Sequence, residues 1–317
     1  MPERILVTGA SGFVGGHLIT SLAAQPSAAV RGVVRTKLEG DDSARIAVGE
    51  ISGDTDWSEA LEGQHAIVHT AARTHILDDK AADPLAEFRN VNVAGTLNLA
   101  RQAAAAGVER FVFISSIKVN GELTTSGQCF TADDIPAPED PYGISKREAE
   151  EGLQQIAAET GLEVVIIRPP LVYGPGVKGN FASMIKLIAK GLPLPFGAIR
   201  NKRSLVSVEN LVDLIIKCTD HPAAANQVFL VSDGEDLSTS ELLRRVGNAM
   251  GQPARLMPVP AKLLQCVASF LGKNAMAQRL LGSLQVDISK TREVLGWKPT
   301  VSVDEGLRSC FKNNQDG

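Results

Sequence analysis

The sequence is poor in aromatic residues, which make up 4% of its 317 residues and include only two tyrosines, Tyr142 and Tyr173. A reaction that needs a tyrosine therefore has two candidates. Hydrophobic residues make up 44% and charged residues 21%, a composition that excludes a disordered chain. The length suits one large unit or two closely joined lobes, because single cores stop growing at roughly 250 to 300 residues.

The sequence also lacks an excess of one charge, long apolar runs and clustered cysteines. Its formal charge of −4 gives no general attraction to nucleic acid or to an anionic membrane, although local basic pockets are compatible with it. No apolar run reaches the roughly 18 residues of a spanning helix, and a strand pattern begins at Arg4, where a signal peptide would lie. The four cysteines lack the short spacings of a zinc site. We expect a cytoplasmic protein with no metal, no membrane insertion and no nucleic-acid partner.

Short β-branched segments alternate with helical patterns through the first half of the chain. This alternation is typical of βαβ units, which build a parallel sheet. The predicted strands are Ile5–Val7, Val30–Val34, Ile67–His69, Phe111–Ile114 and Val164–Ile167. The predicted helices are Gly15–Ala24, Val91–Ala106 and Ser145–Glu159. The sequence therefore predicts an α/β fold with a doubly wound parallel sheet of the Rossmann type.

The pattern changes after residue 174 to turns rich in glycine and proline, with shorter helices. We predict a Rossmann domain over residues 1–174 and a smaller C-terminal α/β lobe over residues 175–317. The second lobe would cover the carboxyl ends of the strands, where open α/β sheets bind ligands. A later run, Gln227–Ser232, has the composition to return to the main sheet, so we expect the two parts to interleave in part.

A glycine-rich turn separates the first predicted strand from the first predicted helix. Its glycines let the backbone turn tightly, approach a pyrophosphate and pack the helix on the strand, while the helix N-terminus faces the anion. The turn has one more residue between its first two glycines than the G-x-G-x-x-G fingerprint. Its place between a strand and a helix nonetheless predicts a dinucleotide site. The predicted contacts are Gly9, Ser11, Gly12, Phe13, Val14 and Gly15.

The residue after the second predicted strand bears on which dinucleotide binds. An acidic residue about 20 positions beyond the glycine turn would bond the ribose 2′-hydroxyl of NAD. That position holds Arg35, and no carboxylate follows it before Glu39. A guanidinium can grip a 2′-phosphate through two hydrogen bonds. The sequence therefore favours NADP(H), with NAD(H) as the alternative if Arg35 is only an exposed charge.

Tyr142 and Lys146 are four residues apart and share one face of a predicted helix. A phenol is a poor acid–base group at neutral pH, but a neighbouring ammonium favours the phenolate and lowers the pKa. Alone, the pair also fits an exposed tyrosine beside a surface lysine. The strand ending in Ser115 and Ser116 favours the first interpretation, because it brings hydroxyls to the same edge of the sheet. One of them could bond a reacting carbonyl or alcohol.

These motifs occur in an order similar to that of the extended short-chain dehydrogenases/reductases. That family includes nucleotide-sugar epimerases, dehydratases and 4-keto reductases. The chain resembles it from Arg4 to about Leu307. The motifs that carry the resemblance are Gly9/Gly12/Gly15, His69–Ala72, Asn92–Thr96, Ser115-Ser116, Tyr142 with Lys146, Arg168-Pro169, Tyr173–Gly176, Arg203–Val208 and Leu295–Pro299. Together they are specific for the family and less so for the reaction.

The resemblance implies the catalytic roles. Tyr142 is similar to the family's general acid/base, and Lys146 to the residue that lowers its pKa and holds the nicotinamide ribose. Ser116 takes the position of the hydroxyl that polarises the substrate. Asn92 would hold the backbone of the site. One motif departs from the family, since Asn120 stands where the pattern has tyrosine, which would alter the shape of the sugar pocket.

The resemblance also implies the binding residues. Glu50 and Ile51 resemble the pair found near the adenine, and Ala71 and Ala72 match the small residues along the cofactor. A loop carboxylate is the plainer explanation of Glu50.

The expected substrate is a nucleotide sugar, with a UDP-sugar favoured, whose diphosphate needs donors from the second lobe. The candidates are Arg203, Asn180 and, more weakly, Arg292. A rim salt bridge and a helix cap are the plainer explanations of the first two. A homodimer, common in the family, would pair the helices Val91–Ala106 and Ser145–Glu159.

Dehydration is disfavoured, because Ser116-Ile117-Lys118 lacks the carboxylates of the family's dehydratases. The resemblance then leaves two reactions open. A 4-keto reductase would consume NAD(P)H while Tyr142 protonates the new alkoxide. A UDP-hexose 4-epimerase, of the UDP-glucose or UDP-N-acetylglucosamine type, would keep NAD tightly bound. Arg35 and a likeness to bacterial surface-polysaccharide reductases favour reduction of a UDP-4-keto-6-deoxy-N-acetylhexosamine. A catalytically silent NADP-binding protein is disfavoured, because such proteins tend to lose the tyrosine or the lysine.

Overall fold

The computed structural model describes residues 3–36, 45–74, 83–125 and 127–311, apart from the side chains of Asn180 and Ala275. Its strands are β1 (Glu3–Thr8), β2 (Ala28–Val34), β3 (Arg45–Ala47), β4 (Ala66–His69), β5 (Arg110–Ile114), β6 (Glu163–Arg168), β7 (Leu171–Tyr173), β8 (Arg203–Ser207), β9 (Gln227–Leu230) and β10 (Asp236–Leu237). Seven of them form one sheet in the order β3-β2-β1-β4-β5-β6-β9. All neighbouring pairs are parallel. The predicted doubly wound Rossmann sheet is confirmed, and its order reverses between β1 and β4, where such sheets bind ligands.

Helices cover both faces of this sheet. The α-helices are α1 (Phe13–Ala23), α2 (Ser58–Leu61), α3 (Pro84–Phe88), α4 (Thr96–Ala105), α5 (Pro141–Thr160), α6 (Gly179–Ala189), α7 (Val208–Asp220), α8 (Thr239–Ala249), α9 (Ala261–Phe270), α10 (Asn274–Leu281), α11 (Ser289–Leu295) and α12 (Val303–Ser309). Side chains of α1 and α7 pack on one face, and those of α4 and α5 on the other. The central strands β4 and β5 are buried along their whole length, as expected of parallel strands covered on both sides.

The predicted helices Ser145–Glu159 and Val91–Ala106 both begin at other residues in the structure. Helix α5 begins at Pro141 rather than Ser145, because the side chain of Asp140 accepts a hydrogen bond from Gly143 N at 2.7 Å and proline suits the first helical position. This places Tyr142 in the first helical turn. Helix α4 follows a π-helical segment, Arg89–Gly95, where the sequence predicts one continuous helix.

A second sheet joins β10, β8 and β7. It lies with α6, α8 and α12 around a separate core that includes Tyr173, Phe181 and Leu243. Strand β9, within the run Gln227–Ser232, pairs with β6 in the main sheet. This pairing agrees with the expected return of the run to the main sheet, while the division at residue 174 and the interleaving of the two parts stay predictions. No helix in the described part of the chain is long and apolar enough to span a membrane.

Candidate active site

In the glycine-rich turn, the backbone of the turn lies close to the start of α1 and to the loop after β4. Gly9 has a φ of +70°, which favours glycine. A Cβ on Gly9 would lie 2.7 Å from Thr70 Oγ1, and a Cβ on Gly15 would lie 2.2 Å from the carbonyl oxygen of Gly9. Any side chain at either position would therefore push α1 away from β1 and β4.

The turn leaves the N-terminus of α1 open to an anion. Gly12 is the N-cap residue, no side chain caps the helix, and the first turn holds no acidic residue. Ser11 is exposed, while Phe13 and Val14 are partly buried beside the turn. Free N–H groups and the helix dipole suit a pyrophosphate, so these residues fit the predicted dinucleotide.

The adenosine side of the expected site holds an ion pair. Arg35 follows β2, and its Nη1 lies 3.2 Å from Glu50 Oε1, with both side chains 72% exposed. Two residues predicted to contact the cofactor are thus brought together. The next residue, Ile51, packs closely on Gly95. Ala71 donates its N–H to Thr8 Oγ1 at 3.3 Å, and Ala72 is partly buried after β4.

The proposed catalytic residues meet where β5 ends and α5 begins. Ser116 is partly buried, and its Oγ accepts a 3.3 Å hydrogen bond from Lys118 N. Lys146 is 1% exposed, donates to Ile114 O at 2.8 Å and lies 6.0 Å from the centroid of the Tyr142 ring. The roles assigned to these three residues stay predictions.

The surroundings shift the pKa values of both helix residues. Burial lowers the pKa of Lys146 to about 7, and the charge of Glu150 partly opposes this change. Burial, helped by the charge of Asp140, raises the pKa of Tyr142. The expected effect of the Lys146 ammonium on the phenol's pKa stays a prediction.

Asn92 connects two parts of the site, as expected from the resemblance. It lies in the π-helical segment, a feature often found at functional sites. Its Oδ1 accepts from Arg73 N at 2.8 Å, and its Nδ2 donates to Arg73 O at 3.1 Å and to Ser145 Oγ at 3.0 Å. The Ser145 hydroxyl in turn donates to Tyr142 O at 2.8 Å. Asn92 therefore fixes the loop after β4 against the first turn of α5.

A buried polar cluster behind the site was not predicted. Arg168 donates from Nε to Glu150 Oε1 at 3.0 Å and from Nη1 to Asn120 Oδ1 at 3.0 Å. The hydroxyl of Ser115 donates to Glu150, and Asn120 Nδ2 donates to Thr131 O at 2.8 Å. Asn120, which stands where the family pattern has tyrosine, is thus a hydrogen-bond partner of the buried Arg168. The spacing of Lys146 and Glu150, four residues apart on one helix face, was the available signal.

His69 is a second buried polar residue whose role sequence reasoning missed. Its ring nitrogens bond Thr8 Oγ1 at 2.7 Å and Thr96 Oγ1 at 3.0 Å. Burial, with the nearby charge of Lys146, lowers its pKa to about 3. The ring stacks on Phe113 at a centroid distance of 5.9 Å, and Lys146 Nζ lies 4.3 Å from the same Phe113 ring. His69 is therefore a buried, neutral side chain that packs beneath the site.

The predicted phosphate-binding residues lie on separate elements. Arg203 begins β8 and donates to Gly282 O at 3.1 Å, and burial lowers its pKa. Arg292 is exposed on α11, beside the turn at Gly234. Asn180 is in the first turn of α6, but its side chain lies outside the described residues. Their roles toward a diphosphate stay predictions.

Comparison with known proteins decides the family. The model of the NAD dependent epimerase/dehydratase family matches residues 5–232. The chain belongs to this family. The match confirms the predicted NAD(P)-dependent enzyme of the extended short-chain type.

Two curated relatives resemble nearly the whole chain. One is UDP-glucose 4-epimerase of Vibrio cholerae, 53% identical over 309 residues, which cover 97% of this chain and 94% of that protein. Another is GDP-6-deoxy-D-mannose reductase of Pseudomonas aeruginosa, 29% identical over 324 residues, covering 99% and 97%. The solved UDP-glucose 4-epimerase of Thermotoga maritima, with UDP-glucose, shares the fold with a TM-score of 0.77 at 24% identity over 99% of both chains. The 53% identity with the Vibrio cholerae enzyme supports the epimerase alternative better than the reductase that the sequence alone favours.

Proposed function

We propose that the protein is a UDP-hexose 4-epimerase, of the UDP-glucose or UDP-N-acetylglucosamine type, that keeps NAD bound through turnover. The 53% identity with the Vibrio cholerae UDP-glucose 4-epimerase over 97% of the chain carries the proposal. The residues at the end of β5 and the start of α5 support it, because they supply the proton transfer that the reaction needs.

The bound dinucleotide supplies hydride transfer at the sugar C4. Tyr142 takes the proton of the C4 hydroxyl as the ketone forms and returns it when the opposite face is reduced. Ser116 donates a hydrogen bond to the same oxygen. Burial lowers the pKa of Lys146 to about 7, so this side chain can gain or lose a proton near neutrality, and its ammonium form favours the phenolate.

The ion pair after β2 supports NAD rather than NADP. The carboxylate of Glu50 lies 3.2 Å from the Arg35 guanidinium, so it offsets the charge that would attract a 2′-phosphate and repels that phosphate itself. NADP(H), which the sequence favoured through Arg35, belongs to the alternative reaction.

The diphosphate of the UDP-sugar needs cationic partners. In this proposal Arg203 and Arg292 supply them, and Asn180 contributes from the start of α6. The homodimer expected from the resemblance would use the outer faces of α4 and α5.

The proposal is tested with two substrates. Purified protein is incubated with UDP-glucose, and in parallel with UDP-N-acetylglucosamine, without added dinucleotide, and the products are separated by anion-exchange chromatography. We expect the C4 epimer of at least one substrate, with NAD released from the denatured protein in about one copy per chain. No epimer from either substrate, together with NADPH consumption on a UDP-4-keto-6-deoxy-N-acetylhexosamine, contradicts the proposal.

That second outcome would establish the 4-keto reductase. The position of Arg35 directly after β2 and the similarity to the GDP-6-deoxy-D-mannose reductase favour it. The reductase also makes a distinct prediction for Arg35→Asp, which should weaken NADPH binding relative to NADH. In the epimerase the same change should leave the dinucleotide content of the purified protein unaltered.

A further inference from the structure

The hairpin of α9 and α10 presents an apolar face to solvent. No residue of α9 is buried. Leu263, Val267, Phe270 and Leu271 are all exposed, and the Phe270 side chain is 91% exposed. Their spacing of four, seven and eight residues from Leu263 places them on one side of the helix. This outer stripe is distinct from Leu264 and Ala268, which are partly buried.

Exposed apolar side chains concentrate at this hairpin. Eleven large hydrophobic residues are exposed in the described part of the chain, and five of them lie between Leu263 and Met276. Scattered single side chains need no explanation, but a contiguous apolar patch marks a contact surface.

The same segment has an unusual charge. From Gly251 to Val286 the chain has no aspartate or glutamate, whereas the protein as a whole has a formal charge of −4. The cations of the segment are Arg255, Lys262, Lys273 and Arg279. Lys262, in the first turn of α9, and Lys273, between α9 and α10, are exposed. An apolar helix face flanked by lysines is the pattern of helices that lie in the interface of an anionic membrane.

We propose that the α9–α10 hairpin docks on the surface of an anionic phospholipid bilayer. Self-association explains the patch less well, because a two-fold interface brings the same segment of both copies together, and this segment has no carboxylate to pair with its cations. A bilayer with anionic headgroups would bury the apolar face and attract the cations at the same time. The proposal concerns peripheral docking and does not require a spanning helix.

Docking would hold the substrate lobe at the bilayer. Gly282, the residue after α10, accepts a hydrogen bond from Arg203 at 3.1 Å, and Ser283 accepts one from Lys202 N at 3.1 Å. The hairpin is thus joined to the strand that carries the predicted diphosphate-binding arginine.

Vesicle co-sedimentation tests the docking. The full-length protein should bind vesicles of phosphatidylglycerol and phosphatidylcholine at low salt, bind pure phosphatidylcholine much more weakly, and dissociate as salt is raised. Phe270→Glu should lower the partition coefficient about ten-fold. Ile135→Glu is the matched control, since Ile135 is 88% exposed outside the segment, and it should bind as the wild type does.

A second variant tests the same surface by fluorescence. The native tryptophans, Trp57 and Trp297, are buried, so a Phe270→Trp substitution adds an exposed reporter. We expect its emission to shift to shorter wavelength with anionic vesicles and to be quenched by brominated lipid.

Absence of vesicle binding at low salt, or binding without any change in the Phe270→Trp emission, overturns the proposal. So does a dimer in sedimentation velocity that Phe270→Glu dissociates while vesicles bind nothing. Sugar-nucleotide turnover measured in parallel should be unaffected by Phe270→Glu, so failure of docking is distinguishable from failure of the proposed reaction.

Discussion

The two tyrosines, Tyr142 and Tyr173, lie in different surroundings. Tyr142 is partly buried in the first turn of α5, and its ring lies beside Phe88 at a centroid distance of 6.0 Å. The Tyr173 side chain is fully buried, and its hydroxyl donates to Asp233 Oδ2 at 2.7 Å. A Tyr→Phe substitution should therefore affect turnover at Tyr142 and stability at Tyr173.

Tyr142→Phe should lower kcat about 100-fold to 10,000-fold, because it removes the group proposed to move the C4 proton. The dinucleotide content and the thermal denaturation midpoint of the variant check that the fold and the cofactor site are retained. Wild-type turnover in this variant would exclude Tyr142 as the acid/base.

Tyr173→Phe is the matched control and should show the opposite pattern. It removes a donor from the buried carboxylate of Asp233, whose pKa burial already raises. We expect a loss of about 1–3 kcal/mol in the free energy of unfolding, with turnover retained below the melting temperature. Urea denaturation followed by circular dichroism measures the loss.

The pKa of Lys146 makes stability depend on pH. Burial lowers it from the ordinary 10.5 to about 7, so between these values the unfolded chain binds a proton that the folded chain does not. The free energy of unfolding of the dinucleotide-free protein should therefore rise with pH across this window, by ~4 kcal/mol at most. Urea denaturation at pH 7 and pH 10 should show this rise in the wild type but not in Lys146→Met. Equal pH dependence in both proteins would contradict the assignment.

At the scale of elements, helix α5 carries residues of both the proposed catalytic site and the buried polar cluster behind it. Tyr142, Lys146 and Glu150 follow one another at intervals of four residues, so one helix face carries the proposed acid/base, the ammonium and the carboxylate that pairs with Arg168. The helix N-terminus is fixed by Asp140, and the π-helical segment holds it through Asn92.

Glu150→Gln tests whether this buried carboxylate matters. Without it Arg168 keeps a charge in the core with no carboxylate partner, and we expect a loss of about 3–5 kcal/mol in the free energy of unfolding. Because the charge of Glu150 raises the pKa of Lys146, its removal should also move the corresponding limb of the pH–rate profile to lower pH.

The matched control for that variant is Glu151→Gln on the same helix. Glu151 is exposed and pairs with Arg147, one helical turn away, at 2.7 Å, so its loss should cost less than ~0.5 kcal/mol. A similar destabilisation in both variants would show that the buried pair has no special effect.

At the scale of the whole molecule, the sequence predicted what depends on local pattern. Alternating strands and helices predicted the parallel sheet, and β9 within Gln227–Ser232 joined it as expected. The sequence did not predict the pairing of Arg35 with Glu50, the contact of Asn120 with Arg168, or the exposed face of α9. Each of these depends on which distant segments meet in the folded chain, and an apolar helix stripe has the same pattern whether or not another element covers it.

From the sequence alone, Arg35 and the likeness to surface-polysaccharide reductases favour reduction, because the pairing of Arg35 with Glu50 is visible only in the folded chain. The charge of Arg35 alone favours NADP(H) and a reductase, whereas the neighbouring carboxylate and the similarity to a UDP-glucose 4-epimerase favour a retained NAD. The proposed activity therefore depends on hydride that leaves C4 and returns to it within one bound complex.

Isotope retention tests that claim most directly. UDP-glucose and UDP-N-acetylglucosamine, each deuterated at C4, are incubated with the purified protein in ordinary water, without added dinucleotide, and the products are examined by mass spectrometry and NMR. We predict that at least one is converted to its C4 epimer with the deuterium kept at C4. Product that has lost the deuterium to solvent, or no product at all unless NADPH is supplied with a 4-keto sugar, would contradict the account.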